Sequence, residues 1–127
     1  MEDQKKILAP LAPFFEEIEA TTIVDLFRRI EANIIVASIL NKTQGLVVKE
    51  ANGISIISDK YLEEVVDQDF DMIVCPGGMP GAEYLSECQI LIQRLNKYKE
   101  LDKYYVAICV APFVIFEKHG FLNSQVA

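Results

Sequence analysis

The sequence predicts an α/β fold, a three-layer α/β/α sandwich with a mostly parallel central sheet. Short apolar runs rich in β-branched residues alternate with helical patterns along the chain. This alternation is typical of parallel strands whose connecting helices cover both faces of the sheet. The chain has 127 residues, of which 51% are hydrophobic, enough to close one core. We therefore expect a single domain over residues 1–127.

The first half of the chain predicts two strands, a helix and a hairpin. Residues 6–11 form the first apolar run, and residues 33–40 form the second. Between them, residues 14–30 carry apolar side chains at helical spacing, with glutamates in the first turn and arginines in the last. That charge order suits a helix dipole. Residues 46–50 and 54–58 flank an Asn-Gly turn signal, which predicts a hairpin.

The second half of the chain repeats the alternation of predicted strands and helices. Residues 61–66 predict a short helix, and residues 72–75 predict a third buried strand. A glycine-rich loop follows at residues 76–82, and a helix is predicted from about residue 88 to residue 101. Residues 105–108 then form another apolar run, the pattern of a strand buried on both faces.

Cys109 follows this last strand, and residues 111–116 lead into a helix. Pro112 supports that boundary, because proline suits the first turn of a helix. The free N–H groups and the positive dipole end of this helix would favour a thiolate and offer donors to an oxyanion. These features predict a nucleophile. A buried structural cysteine is the alternative, since free cysteine is among the most buried residue types.

Three elements are expected at one edge, because sites in parallel sheets gather at the carboxyl ends of the strands. They are Cys109, the start of the first helix with Glu19, and the loop with Gly77 and Gly78. The glycine pair fits an oxyanion loop or a plain tight turn, and Glu19 could equally be a solvated carboxylate. His119 lies ten residues beyond the cysteine. We interpret it as a surface residue or one near a helix end, out of reach of the thiol.

Composition argues against several classes of partner. The net charge is −7, and the basic residues form no stripe, so nucleic acid is not expected. The apolar run at residues 104–116 is too short to cross a bilayer, and the first residues lack a signal peptide. We expect a cytoplasmic protein with no membrane contact. Three cysteines without a CxxC pair predict free thiols and no metal site.

Three motifs together resemble the ThiJ/PfpI superfamily, in the branch of the parkinsonism-associated deglycase, also called a glutathione-independent glyoxalase. They are ILAPLAPFFEEIEATTIVDLFRR, VCPGGMPGAEYL, and AICVAP followed by KHGFL. The resemblance implies a flavodoxin-like, Rossmann-like fold. It also implies that Cys109 is the nucleophilic, oxidisable cysteine, that Glu19 is a buried glutamate bonded to it, and that Gly77, Gly78 and Val110 provide backbone donors.

The chain departs from the family pattern in two places. Val110 stands where the protease-like branch has a histidine, so peptidase activity is not expected. Relatives continue beyond the position of Ala127 with a histidine near the active site, so we expect a domain truncated at its C-terminus.

The resemblance implies an enzyme that converts 2-oxoaldehydes such as methylglyoxal, or removes their adducts, without a cofactor. A peroxide sensor or redox-regulated chaperone that turns over no substrate remains the alternative. A class I glutamine amidotransferase would need a downstream histidine and glutamate that reach the cysteine, and the single histidine, His119, is expected to lie out of reach of the thiol. The resemblance also implies a homodimer through the first helix. Its two-fold axis would lie near four residues: Ile18, Thr22, Asp25 and Arg29.

Overall fold

The computed structural model describes residues 4–50, 52–107 and 111–120. Its strands, numbered along the chain, are β1 (Lys6–Leu11), β2 (Asn33–Ser38), β3 (Val47–Lys49), β4 (Ser55–Ile57), β5 (Lys60–Tyr61), β6 (Met72–Cys75) and β7 (Tyr104–Ala107). Its helices are α1 (Glu17–Arg29), α2 (Leu62–Val65), α3 (Gly81–Glu87), α4 (Gln89–Glu100) and the π-helical segment α5 (Pro112–Glu117).

A parallel sheet in the order β5-β2-β1-β6-β7 forms the centre of the described chain. β1 is the middle strand. It pairs with β2 from Lys6 opposite Asn33 to Leu11 opposite Ser38, and with β6 from Ile7 opposite Met72. β3 and β4 form a separate antiparallel hairpin. The predicted mostly parallel sheet is therefore confirmed.

Helices cover both faces of this sheet, which confirms the predicted three layers. Ile7 and Ala9 of β1 face α1, where they pack near Phe27. The intervening Leu8 faces the opposite side, in a cluster shared with α2, α3, α4 and α5. Successive side chains of β1 thus pack into two cores on opposite faces of the sheet, as expected when a central strand is buried on both faces. The hairpin adds Val48 to a third cluster, which contains Leu11 and Phe15.

Tyr98 on α4 anchors the larger core. Its side chain is fully buried, and its hydroxyl accepts a hydrogen bond from the backbone N–H of Phe70 at 2.8 Å. Lys103 and Arg94 lie over its ring, at 4.6 and 5.4 Å from the centroid. The ring is thus held between the apolar interior and two cations at the surface, an arrangement typical of cation–π contacts.

The structure corrects three predictions about these elements. α1 begins at Glu17 instead of residue 14, because Phe14 has a left-handed backbone, with φ of 65°, that cannot continue a helix. Helix α3 begins at Gly81, inside the loop predicted at residues 76–82, and no element was predicted for residues 83–87. β7 is not buried on both faces: Tyr104 is 72% exposed and Val106 is 38% exposed, because α1 packs over the other strands.

Candidate active site

The loops at the carboxyl ends of β1, β6 and β7 carry the predicted site residues. β1 leads through residues 12–16 into α1, and β6 leads into Gly77 and Gly78. Ala107, at the end of β7, pairs in register with Cys75 at the end of β6. Cys109 and Val110 follow Ala107 but lie outside the described residues. The parallel register therefore brings the described part of the site to one edge of the sheet.

Glu19 and the glycine loop are in direct contact. Gly77 N–H donates a hydrogen bond to Glu19 Oε1 at 3.1 Å. The carbonyl of Gly77 accepts a second bond from the backbone N–H of Glu16, also at 3.1 Å. The peptide groups around Gly77 are thus fixed from both sides by the start of α1. Glu19 itself is half-buried.

Glu16 belongs to this arrangement, and the sequence reading missed its role. Its Oε2 accepts a bond from the backbone N–H of Glu19 at 3.0 Å, so Glu16 is the N-cap of α1. The spacing of three between the two glutamates is the signal, because an N-cap side chain bonds the N–H of the third helical residue. Glu16 therefore orients the first turn while its own N–H holds Gly77.

Gly78 packs against the β1–α1 loop so closely that a side chain does not fit. Its φ is +99°, and a Cβ would lie 2.5 Å from Glu16 N and 2.8 Å from the carbonyl carbon of Phe15. Within the described residues, no acceptor pairs with the Gly78 N–H. Glycine is therefore required for the close approach, and its N–H has no partner in the part of the chain that the structure describes.

Phe14 and Gly81 form a second close approach between the same loops. A Cβ on Gly81 would lie 2.7 Å from the carbonyl oxygen of Phe14. Phe14 holds its left-handed conformation while its N–H donates to the carbonyl of Lys49 at 2.8 Å. Its ring contacts Tyr84 of α3, with centroids 6.2 Å apart. A bulky residue in this backbone region is strained, so contacts on three sides hold it there.

Neither described cysteine is suited to act as a thiolate. Cys75 is buried, and burial raises the pKa of its thiol to about 12. Cys88 is half-buried, and burial likewise raises its pKa, although N–H groups of the α4 start oppose the shift. A raised pKa leaves little thiolate at neutral pH. Reactive thiol chemistry is therefore not expected from either residue.

His119 lies just after the end of α5 and is half-buried, which agrees with the expected place near a helix end. Its Nε2 lies 3.0 Å from both Oγ and the carbonyl oxygen of Ser86 on α3. The ring therefore links two helices on the side of the sheet away from α1.

The described residues contain neither a metal-binding cluster nor a membrane-spanning helix. No three Asp, Glu, His or Cys side chains in residues 4–50, 52–107 and 111–120 converge in a way that could hold a metal ion. No helix in that part of the chain combines the length and the apolar character needed to cross a membrane.

Known proteins resemble this chain in sequence and in fold. The chain is 38% identical over 126 residues to Protein DJ-1 homolog A of Arabidopsis thaliana, covering 99% of this chain and 31% of that protein. It is 33% identical over 127 residues to the glutathione-independent glyoxalase DJR-1.2 of Caenorhabditis elegans, covering 99% of this chain and 65% of that protein. Oxidized DJ-1 of Toxoplasma gondii has the same fold, with a TM-score of 0.90 and 37% identity over 94% of this chain and 64% of that one.

The chain spans from 31% to 65% of the lengths of these three proteins. The Toxoplasma gondii structure confirms the flavodoxin-like fold of this chain. Residues 5–127 match the family described as DJ-1/PfpI. The chain therefore belongs to the DJ-1/PfpI family.

Proposed function

We propose that this chain provides the cysteine and carboxyl groups of a glyoxalase- or deglycase-like enzyme that acts on 2-oxoaldehydes such as methylglyoxal, or on their adducts. The observation that carries the proposal is the hydrogen bond from Gly77 N–H to Glu19 Oε1 at 3.1 Å. It joins a carboxyl group to the glycine loop at the sheet edge where β7 ends at Ala107, two residues before Cys109 in the sequence. A relative that is 33% identical is named a glutathione-independent glyoxalase, which supports the same chemistry.

The reaction begins with the Cys109 thiolate. Its sulfur forms a bond to the aldehyde carbon, and the carbonyl π electrons move to oxygen, giving a hemithioacetal anion. The N–H groups of Gly78 and Val110 would bind this oxyanion. The Gly78 N–H supports this role, because it has no acceptor within the described residues.

Glu19 would then move the proton. Its carboxylate takes the proton from the former aldehyde carbon, which leaves an enediolate, and returns it to the neighbouring carbon. The oxygen on that carbon takes a proton from water and becomes the alcohol. The hydroxide left by that water adds to the thioester carbonyl and expels the thiolate, which releases a 2-hydroxy acid. One carbon is oxidised while its neighbour is reduced, so the sequence of steps balances without an external oxidant or reductant.

Lactate production from methylglyoxal tests this proposal. We expect the wild-type protein to form lactate and Cys109→Ala to form none, because the nucleophile is gone. Glu19→Gln should lower kcat by about 10²–10⁴-fold, the usual contribution of a positioned acid–base group. Cys88→Ala is the matched control and should retain wild-type turnover. Lactate formed by Cys109→Ala at the wild-type rate would refute the mechanism.

A peroxide sensor is the second candidate function, and the 37% identical Toxoplasma gondii structure, described as oxidized, favours it. In this role peroxide takes Cys109 to the sulfinate, which a Glu19 carboxyl stabilises by donating a hydrogen bond. Glu19→Gln keeps a donor, so sulfinate should still form although aldehyde conversion is lost. Glu19→Asp should lower the sulfinate yield first.

Intact-mass spectra after graded peroxide measure these yields. Glu63→Gln, at an exposed position on α2, is the control and should match wild type. Equal sulfinate yields from wild type, Glu19→Asp and Glu19→Ala would show that Glu19 has no part in the oxidation.

A further inference from the structure

Two glutamates outside the proposed chemistry, Glu17 on α1 and Glu50 beside the hairpin, lie within hydrogen-bonding reach of each other. Glu50, next to the end of β3, is only 1% exposed, and its Oε1 accepts a bond from Ile54 N–H at 2.6 Å. Its other oxygen, Oε2, is buried without a hydrogen-bond partner among the described residues, and so is Oε2 of Glu17 in the first turn of α1. Buried carboxylate oxygens without donors are costly, so this pair needs a proton or a cation.

The described residues around Glu17 and Glu50 favour a shared proton over a bound cation. No ion pair in the described chain includes Glu17 or Glu50. The described residues also offer no third side chain that would complete a metal site with these two. Two carboxyl groups in contact do not both ionise readily, but one proton between them lets one group donate and the other accept.

The hydrogen bonds decide where the proton lies. Burial raises the pKa of Glu50, but bonds from Glu17, Asn52 and Ile54 stabilise its carboxylate, and its pKa falls below the usual range. The bond to Glu50 raises the pKa of Glu17 above its usual range, and the negative charges of Glu50 and Glu16 act in the same direction. The opposite directions of these two shifts favour Glu17 as the donor and Glu50 as the acceptor.

We propose that Glu17 and Glu50 share one proton, and that this bond positions the catalytic carboxyl of Glu19 by holding the hairpin against the start of α1. Glu17 lies two residues before Glu19, on the same helical turn. The hairpin also contacts this loop through Phe14 N–H, which donates to the carbonyl of Lys49. The same loop carries Glu16, whose N–H holds Gly77. Loss of the proton would place two negative charges together and loosen the hairpin from this loop.

The direction of the pH dependence follows from the raised pKa of Glu17. A carboxyl group with a raised pKa in the folded state stabilises that state fully below its unfolded pKa. This stabilisation is lost as the pH rises through the folded-state pKa. The wild-type protein should therefore lose the contribution of this pair as the pH is raised, with the unfolding equilibrium constant increasing by up to about tenfold per pH unit over that range.

Glu17→Gln tests the shared proton without requiring activity. Its amide donates to Glu50 at every pH, so the difference in melting temperature between wild type and this variant should change as the pH is raised, always to the disadvantage of wild type. Glu63→Gln, on the exposed face of α2, is the matched control and should follow wild type. Identical pH profiles for wild type and Glu17→Gln would overturn the shared proton.

Carbon-13 NMR titration of the wild-type protein gives a second measurement that no folding defect can obscure. One glutamate carboxyl should titrate above the usual range for glutamate, and Glu17→Gln should remove that signal. A wild-type titration in which every glutamate titrates in or below the usual range would also overturn the proposal.

The positioning role rests on the proposed function and has its own readout. On the high-pH side of the transition, Glu17→Gln should form lactate with a higher kcat than wild type, with little change in KM, because Glu19 stays in place. Equal kcat profiles across the pH range would refute the positioning role. Absence of lactate from wild type at every pH would instead refute the proposed function, whereas the melting curves and the titration would still decide the shared proton.

Discussion

Replacing Gly78 by alanine tests how tightly the glycine loop is packed against the start of α1. Gly78 has φ of +99°, and a Cβ there would lie 2.5 Å from Glu16 N, about 0.9 Å inside ordinary contact at 3.4 Å. The left-handed backbone alone costs an alanine about 1–2 kcal/mol. Forcing the two backbone segments apart adds about 1–3 kcal/mol. We therefore expect Gly78→Ala to lower the free energy of unfolding by about 2–5 kcal/mol.

Gly45→Ala separates these two contributions. Gly45 has φ of +89°, but a Cβ there would meet nothing within 4 Å, so only the backbone cost of about 1–2 kcal/mol should remain. Gly81→Ala is the complementary case, because its Cβ would lie 2.7 Å from Phe14 O without a left-handed φ. It should show only the packing cost of about 1–3 kcal/mol.

Calorimetric melting at one pH measures all three variants. At about 4 °C per kcal/mol for a chain of this length, Gly45→Ala should melt about 4–8 °C below wild type and Gly78→Ala about 8–20 °C below it. Gly78→Ala should also slow aldehyde conversion, because Glu16 N–H is displaced from Gly77. Equal losses from Gly45→Ala and Gly78→Ala would refute the close approach between the two loops.

The remaining predictions concern the thiols, the core and assembly. Iodoacetamide at neutral pH should label Cys109 well before the other two cysteines, whose pKa values burial raises; mass-spectrometric mapping checks this order. Tyr98→Phe should lower the free energy of unfolding by about 1–3 kcal/mol in urea titrations, because it leaves a buried N–H unpaired. We propose a homodimer through α1, where Ile18 is 69% exposed; in light scattering, Ile18→Asp should dissociate it and Leu101→Asp should not.

Most of the fold follows from local pattern, and the missed elements show where local pattern fails. The hairpin and the strands β1, β2 and β6 have apolar runs or turn signals that depend only on neighbouring residues. The sequence does not predict helix α3, because Pro80 and Gly81 at its start are residue types typical of loops. Gly81 is needed there for contact with Phe14, 67 positions earlier, and no window of neighbouring residues contains that information.

In the candidate site, too, local motifs predicted some residues, whereas others depend on contacts between distant parts of the chain. Glu19 and the glycine pair were identified from motifs, and the structure brings Glu19 to Gly77. The partnership between Glu17 and Glu50 had no signal in the sequence, because it depends on how the hairpin folds back onto α1. Phe14 was placed in the helix on its apolar character, whereas tertiary contacts impose its left-handed backbone. Contacts between residues that are distant in the sequence determine both features, and the local propensity of a residue carries no information about such contacts.

The central position of β1 has a consequence for how the chain assembles. β1 is made before both of its neighbours, because β2 begins at Asn33 and β6 begins only at Met72. The pair of β1 and β2 closes a short loop through α1, whereas the contact with β6 spans about 65 residues and has a larger closure entropy. A chain emerging from the ribosome can therefore pair β1 with β2 early, but one edge of β1 stays open until β6 appears. During that interval the nascent chain exposes an apolar strand edge of the kind that chaperones shield.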